Sequence, residues 1–187
     1  MGKYYYLVSG LPDISLDDGK LAYTVADFKA EMEATLSAKD QKLIDLFFLK
    51  YDNANLLACL KEADAPLDPR GRITREEFEA VYKALKEEEK LPKNEAIPAY
   101  HVTFIQRYLA EEQSEQKGEK AQLSWEDQLA ALYYEAAMKA PNPFVAGWFE
   151  LNLNINNVLT AITCRKYGFD KSLYIVGHNE IAEQIRT

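Results

Sequence analysis

The stretch "FELNLNINNVLTAITCRKYG", residues 149–168, decides the fold. Leu151, Leu153 and Ile155 alternate with Asn152, Asn154 and Asn156. Alternation marks a half-buried strand, whose successive side chains point to opposite faces. Here it is short. Extended back to Phe144, steps of three and four join Phe144, Trp148, Leu151, Ile155, Val158, Leu159 and Ile162 into one stripe about five helical turns long. Phe149, Leu153, Asn156 and Thr160 fall on the other side. Pro143 suits the start of such a helix and Gly168 its end. The longer pattern wins, and the segment reads as a helix. Being apolar on two sides, it is expected at the centre of a bundle. Asparagine is a mediocre helix former. Several of these amides should therefore bond to neighbours or face a partner.

Other helix starts are legible. Thr24 precedes Asp27, Ser37 precedes Asp40, Thr74 precedes Glu77 and Ser124 precedes Asp127, each by three residues. A hydroxyl at that position meets an unpaired backbone N–H, and an acid in the first turn suits the positive helix end. Pro98 suits the first turn of another helix. Helical spacing follows in Val25, Phe28, Met32 and Leu36; in Leu43 and Phe47; in Ile105 and Leu109; and in Leu129, Leu132 and Ala136. The fold class is all-α, a multi-helix bundle. The run "KYYYLVSGLPD" is too short for periodicity to separate a strand from a turn or two of helix, so a short N-terminal strand stays open. "DDGK" (17–20) reads as a turn. Residues 86–98 and 110–122 read as solvated connections.

With 187 residues the chain makes a single helical domain. That size buries about 70% of the unfolded surface, enough to fold without disulfide or metal. The net charge of −8 disfavours nucleic acid and anionic lipid as partners. The two cysteines, Cys59 and Cys164, read as reduced buried thiols of a cytoplasmic protein. No apolar run approaches the ~18 residues of a membrane span, so direct membrane insertion is not expected. Ile181 and Ile185 begin a helix face that the sequence does not complete, which reads as the N-terminal part of a longer protein.

Chemistry finds little footing. In "DPRGRITREEF" (68–78) an EF-hand alignment puts Pro66 at loop position one and Arg70 at position five, and neither can bind calcium there. The two histidines, His101 and His178, have no zinc-ligand pattern around them. No phosphate-binding glycine loop is present. Tyr4, Tyr5, Tyr6, Tyr133 and Tyr134 read as core edges or as protein interface. The expectation is no catalytic residue, no cofactor and no metal. The candidate structural or interface residues are Asn55, Asn154, Asn156, Asn157 and Arg165, with Asn53 beside them. Asn55 and Asn157 are expected to bond between helices or to a loop backbone; the interfacial reading of the group stays open.

"FFLKYDNANLLACL" (47–60) aligns with "FELNLNINNVLTAI" (149–162) at one constant offset, with Phe47 on Phe149, Leu49 on Leu151, Asn55 on Asn157 and Leu57 on Leu159. This points to an internal repeat of helical units, residues 24–90 and 98–187. Glu150, Asn154, Asn157, Val158, Leu159, Arg165 and Gly168 resemble the repeated helix of the C-subunit of V/A-type ATP synthases, called the d-subunit in the eukaryotic pump. The stretches "KYYYLVSGLPD", "KLIDLFFLKYDNANLL", "WEDQLAALYYEAAMK" and "WFELNLNINNVLTAITCRKYGFD" resemble, over nearly the whole chain, a bacterial family of unknown function encoded beside V-type ATP synthase genes. The resemblance implies a non-catalytic part of the rotor that passes torque between the central shaft and the proteolipid ring. It implies those rotor components as partners, and a cytoplasmic place, peripheral on the membrane through the complex. The departure is two repeats where the C-subunit has three. A stand-alone helical interaction module or assembly factor is the alternative.

Overall fold

The computed structural model describes residues 4–17, 19, 23–62, 64–94, 96–112 and 123–187. Among them are eight α-helices: α1 (Tyr5–Gly10), α2 (Val25–Thr35), α3 (Ala38–Lys61), α4 (Arg75–Lys86), α5 (Ala99–Glu112), α6 (Trp125–Ala137), α7 (Pro143–Tyr167) and α8 (Glu180–Arg186). A single 3-10 turn lies at Lys171–Leu173. No strand occurs among the described residues. The N-terminal run is therefore helical: α1 buries Leu7 against Met32 and Phe48, and a lone apolar run with no partner strand satisfies its backbone within itself.

The four hydroxyl caps form. Thr24, Ser37, Thr74 and Ser124 accept from the backbone N–H of Asp27, Asp40, Glu77 and Asp127. At Thr24 and Thr74 the acid returns the bond to the cap backbone, closing a full capping box. Pro98 directly precedes α5 instead of entering its first turn. Of the two expected connections, 87–94 is irregular, with Glu88 at φ 55°, while 110–112 belongs to α5 and 113–122 lies outside the described residues. Of the expected turn at 17–20, Asp17 turns together with Leu16; residues 18 and 20 lie outside the described residues.

Helix α6 packs against α3, α5 and α7, so the main core gathers around it. Leu56, Phe78, Phe104, Ile105, Leu129 and Phe149 are buried there. Val25 lies exposed, against its expected place on the apolar face of α2. The larger departure concerns α7. Its buried residues are Val145, Phe149, Leu153, Asn157 and Cys164. The opposite stripe, from Phe144 to Ile162, is exposed. The helix is not central but lies on the outside, because the described chain supplies helices to cover only one of its two apolar faces.

Candidate functional site

The expected asparagine sites resolve into paired contacts. Asn55, in the last two turns of α3, donates Nδ2–H to the Asp68 carbonyl (3.0 Å) and accepts from the Asp68 N–H at Oδ1 (2.7 Å). Asn157 on α7 does the same to Val176, donating to its carbonyl (2.8 Å) and accepting from its N–H (3.0 Å). An amide side chain matches the peptide unit in shape and in donor and acceptor, so each asparagine holds one loop residue at two points. Both are buried. The loops they hold run to the N-caps Thr74 and Asn179 of α4 and α8.

One turn earlier, aligned residues again reach the start of the following helix. Asp52 Oδ1 accepts from the backbone N–H groups of Arg72 (2.7 Å) and Ile73 (2.9 Å). Asn154 Oδ1 accepts from the Asn179 side chain (2.8 Å). Burial pushes the Asp52 carboxyl above its usual range, against the pull of those two N–H donors. Its Oδ2 is buried without a hydrogen-bond partner. Gly71 passes so close that a Cβ there would stand 2.5 Å from Asn55 Nδ2 and 2.7 Å from Asp52 Oδ1. A side chain there would have to displace the tips of Asn55 and Asp52, which their own hydrogen bonds hold in place.

Asn53 faces the other way, into the bundle. Its Oδ1 accepts from the Tyr100 hydroxyl (2.7 Å) and from His101 Nε2 (2.7 Å) on α5. Because Asn53 offers a carbonyl oxygen, Nε2 carries the proton and Nδ1 is left as a buried acceptor without partner. Burial holds His101 down to about 3, so it is neutral across the physiological range. The sequence marks neither His101 nor Asp52 as a polar core residue, because the partners of each lie well away along the chain.

Asn156 is exposed and donates to the Tyr134 hydroxyl at 2.9 Å. Arg165 lies exposed near the end of α7, apart from the clasps. The EF-hand reading fails on geometry as on sequence: Asp68 is engaged by Arg70, which holds its carboxyl at about 2, and Glu77 closes the cap on Thr74. Among the described residues no group of three or more His, Cys, Asp or Glu could hold a metal ion, and no helix is long and apolar enough to cross a membrane. A cleft of about 530 Å³ between α6, α7 and the C-terminal segment is lined mainly by apolar and amide groups, among them Tyr134, Asn156, Thr160 and Cys164.

Helix α7 carries an exposed apolar stripe. Phe144, Trp148, Leu151, Ile155, Val158, Leu159 and Ile162 expose between 44% (Val158) and 74% (Phe144) of their surface. Most of the aligned positions on α3 are covered, the exception being Lys42, which is exposed at the place of Phe144. Leu46, Leu49, Leu57 and Leu60 pack on the main core and Leu56 lies within it. Helices α5 and α6 close over that side: Tyr133 donates to the Leu46 carbonyl (2.7 Å) and Tyr108 to that of Leu60 (3.3 Å).

The family model described as "Protein of unknown function (DUF2764)" matches residues 1–187. No curated protein and no solved structure matches the chain.

Proposed function

The chain belongs to the DUF2764 family, and from that premise we propose that it serves as a non-catalytic component of a V/A-type ATP synthase, similar to the C-subunit and linking central shaft and membrane ring. The observation that carries this reading is the matched pair of asparagine clasps. Asn55 and Asn157 occupy aligned places on α3 and α7, and each ties down the loop that leads to the next helix. These are the helices on which the likeness to the C-subunit rests, and a repeat of clasped helix–loop–helix units supports it. In this proposal the units centre on α3–α4 and α7–α8, with α5 and α6 packed between.

The buried polar groups serve the frame: Asp52 orders the approach to α4 and Asn53 joins α3 to α5. No reaction is therefore proposed, and no cofactor. The protein would sit at the membrane through its complex. The test is capture of the tagged chain from its native membranes in mild detergent, with mass spectrometry of the co-purifying proteins. Stoichiometric shaft and proteolipid-ring components support the rotor role; recovery without them overturns it. The bare stripe on α7 favours a second reading, a stand-alone helical interaction module or assembly factor, which recovery with partners outside the synthase alone would support.

A further inference from the structure

The seam along α7 advances by four, three, four, three and four residues through Phe144, Trp148, Leu151, Ile155, Val158 and Ile162, with Leu159 beside it. That alternation is the 3.5-residue period by which one helix lies along another in a supercoil. The positions flanking it, Gly147, Asn152, Asn154 and Ala161, carry no charge; the one acid of α7, the exposed Glu150, lies further round the helix, and the first cation is Arg165. Interface centres are depleted of charge in this way. About half the surface of seven large side chains amounts to roughly 800 Å², above the ~300–600 Å² of the largest patch on a typical monomer and near what each partner gives to a stable interface.

The seam is also complementary to itself. Set antiparallel about a two-fold axis that crosses the exposed seam between Leu151 and Ile155, Phe144 meets Ile162 of a second copy, Trp148 meets Val158 and Leu151 meets Ile155. Every seam position then faces another, with the two aromatic rings set against the smaller branched side chains. A parallel pairing would set Trp148 on Trp148 and Phe144 on Phe144, crowding one end and leaving the other thin. Volume matching favours the antiparallel pairing.

We propose that two copies of this chain pair through the exposed stripe of α7, antiparallel and two-fold symmetric. The inference goes beyond the rotor reading and stands without it.

Sedimentation equilibrium of the full chain across micromolar concentrations tests it. A reversible dimer is expected. Ile155→Lys, on an exposed position, should weaken it at least ~100-fold while leaving helix content unchanged. Mixed Leu151→Cys and Ile155→Cys chains should form a heterodimeric disulfide on mild oxidation, and Trp148→Cys chains should not couple with one another. A monomer at all concentrations overturns the proposal and leaves the face to helices of another protein. A dimer indifferent to Ile155→Lys overturns the surface, and self-coupling of Trp148→Cys overturns the orientation.

Discussion

Phe47 and Phe149 hold aligned places in the two related segments, and their rings touch, with centroids 5.0 Å apart. Two matching residues that contact one another lie where a local two-fold relation between α3 and α7 would pass. Tyr133 of α6 closes on Phe149 edge-on at 5.5 Å. Truncating Phe149, which is buried, to Ala should cost about 3–5 kcal/mol. In a double-mutant cycle of Phe47→Leu and Phe149→Leu, read by urea unfolding, the pair should couple by about 1 kcal/mol. Strict additivity would mean that the rings merely share a core.

Removing either clasp should have the same consequence at two distant places. Asn55→Ala strands the N–H and carbonyl of Asp68, and Asn157→Ala those of Val176. Each substitution should lower stability by about 2–4 kcal/mol. Amide exchange distinguishes the two: Asp68 should lose protection in the first variant and Val176 in the second. Exchange unchanged at both would show that the loops are held by other contacts.

The glycines offer a contrast of sign. Gly71→Ala drives a methyl group into Asn55 and Asp52, so thermal unfolding should show a loss of at least about 2 kcal/mol. Gly147 lies within α7 with nothing within 4 Å of the place a Cβ would take. Gly147→Ala should therefore stabilise the chain by about 0.5–1 kcal/mol through helix propensity.

Stability should fall on the acid side because His101 is buried neutral. Its folded value of about 3 lies below the ordinary 6.5, so between these limits the unfolded chain binds the extra proton. The contribution is complete above pH 6.5 and is lost as pH falls toward 3, with a slope of up to about 1.4 kcal/mol per pH unit. Asp52 has the opposite sign. Its raised value means that its contribution is present below the ordinary 3.8 and lost as pH rises through the folded value. Chemical denaturation from pH 4 to 8 should show a flattened acid limb in His101→Gln. Asp52→Asn should remove the opposing trend, since its carbonyl can still accept from Arg72 and Ile73. Identical slopes in all three chains would refute the assignment.

Much of this architecture is readable because its signals are local. Thr24, Ser37, Thr74 and Ser124 each announce a helix through a residue three positions on, and Pro143 and Gly168 bracket α7 in the same way. The asparagines are recognisable as needing partners, but not which partners. Spacing shows that Phe144, Trp148 and Leu151 share a face; it cannot show whether any helix comes to cover it. On α7 the buried side proves to be the one carrying Phe149, Leu153 and Asn157. The polar contacts of Asn53 with Tyr100 and His101 are hidden for a related reason: donor and acceptor sit on different helices, and nothing local marks them as a pair.

Two look-alike helices in one chain pose a sorting problem during folding. The Tyr100 and His101 end of α5 could in principle settle on the leucine-rich side of α3 or on the bare apolar side of α7. The deciding position is Asn53, for which α7 has Ile155 at the aligned place. On α3 the phenol and the imidazole find a shared oxygen. Against Ile155 both would be dehydrated with nothing to receive their protons, at a cost of about 1–3 kcal/mol each. A single amide thus favours the docking of α5 on α3 over the related but divergent face of α7.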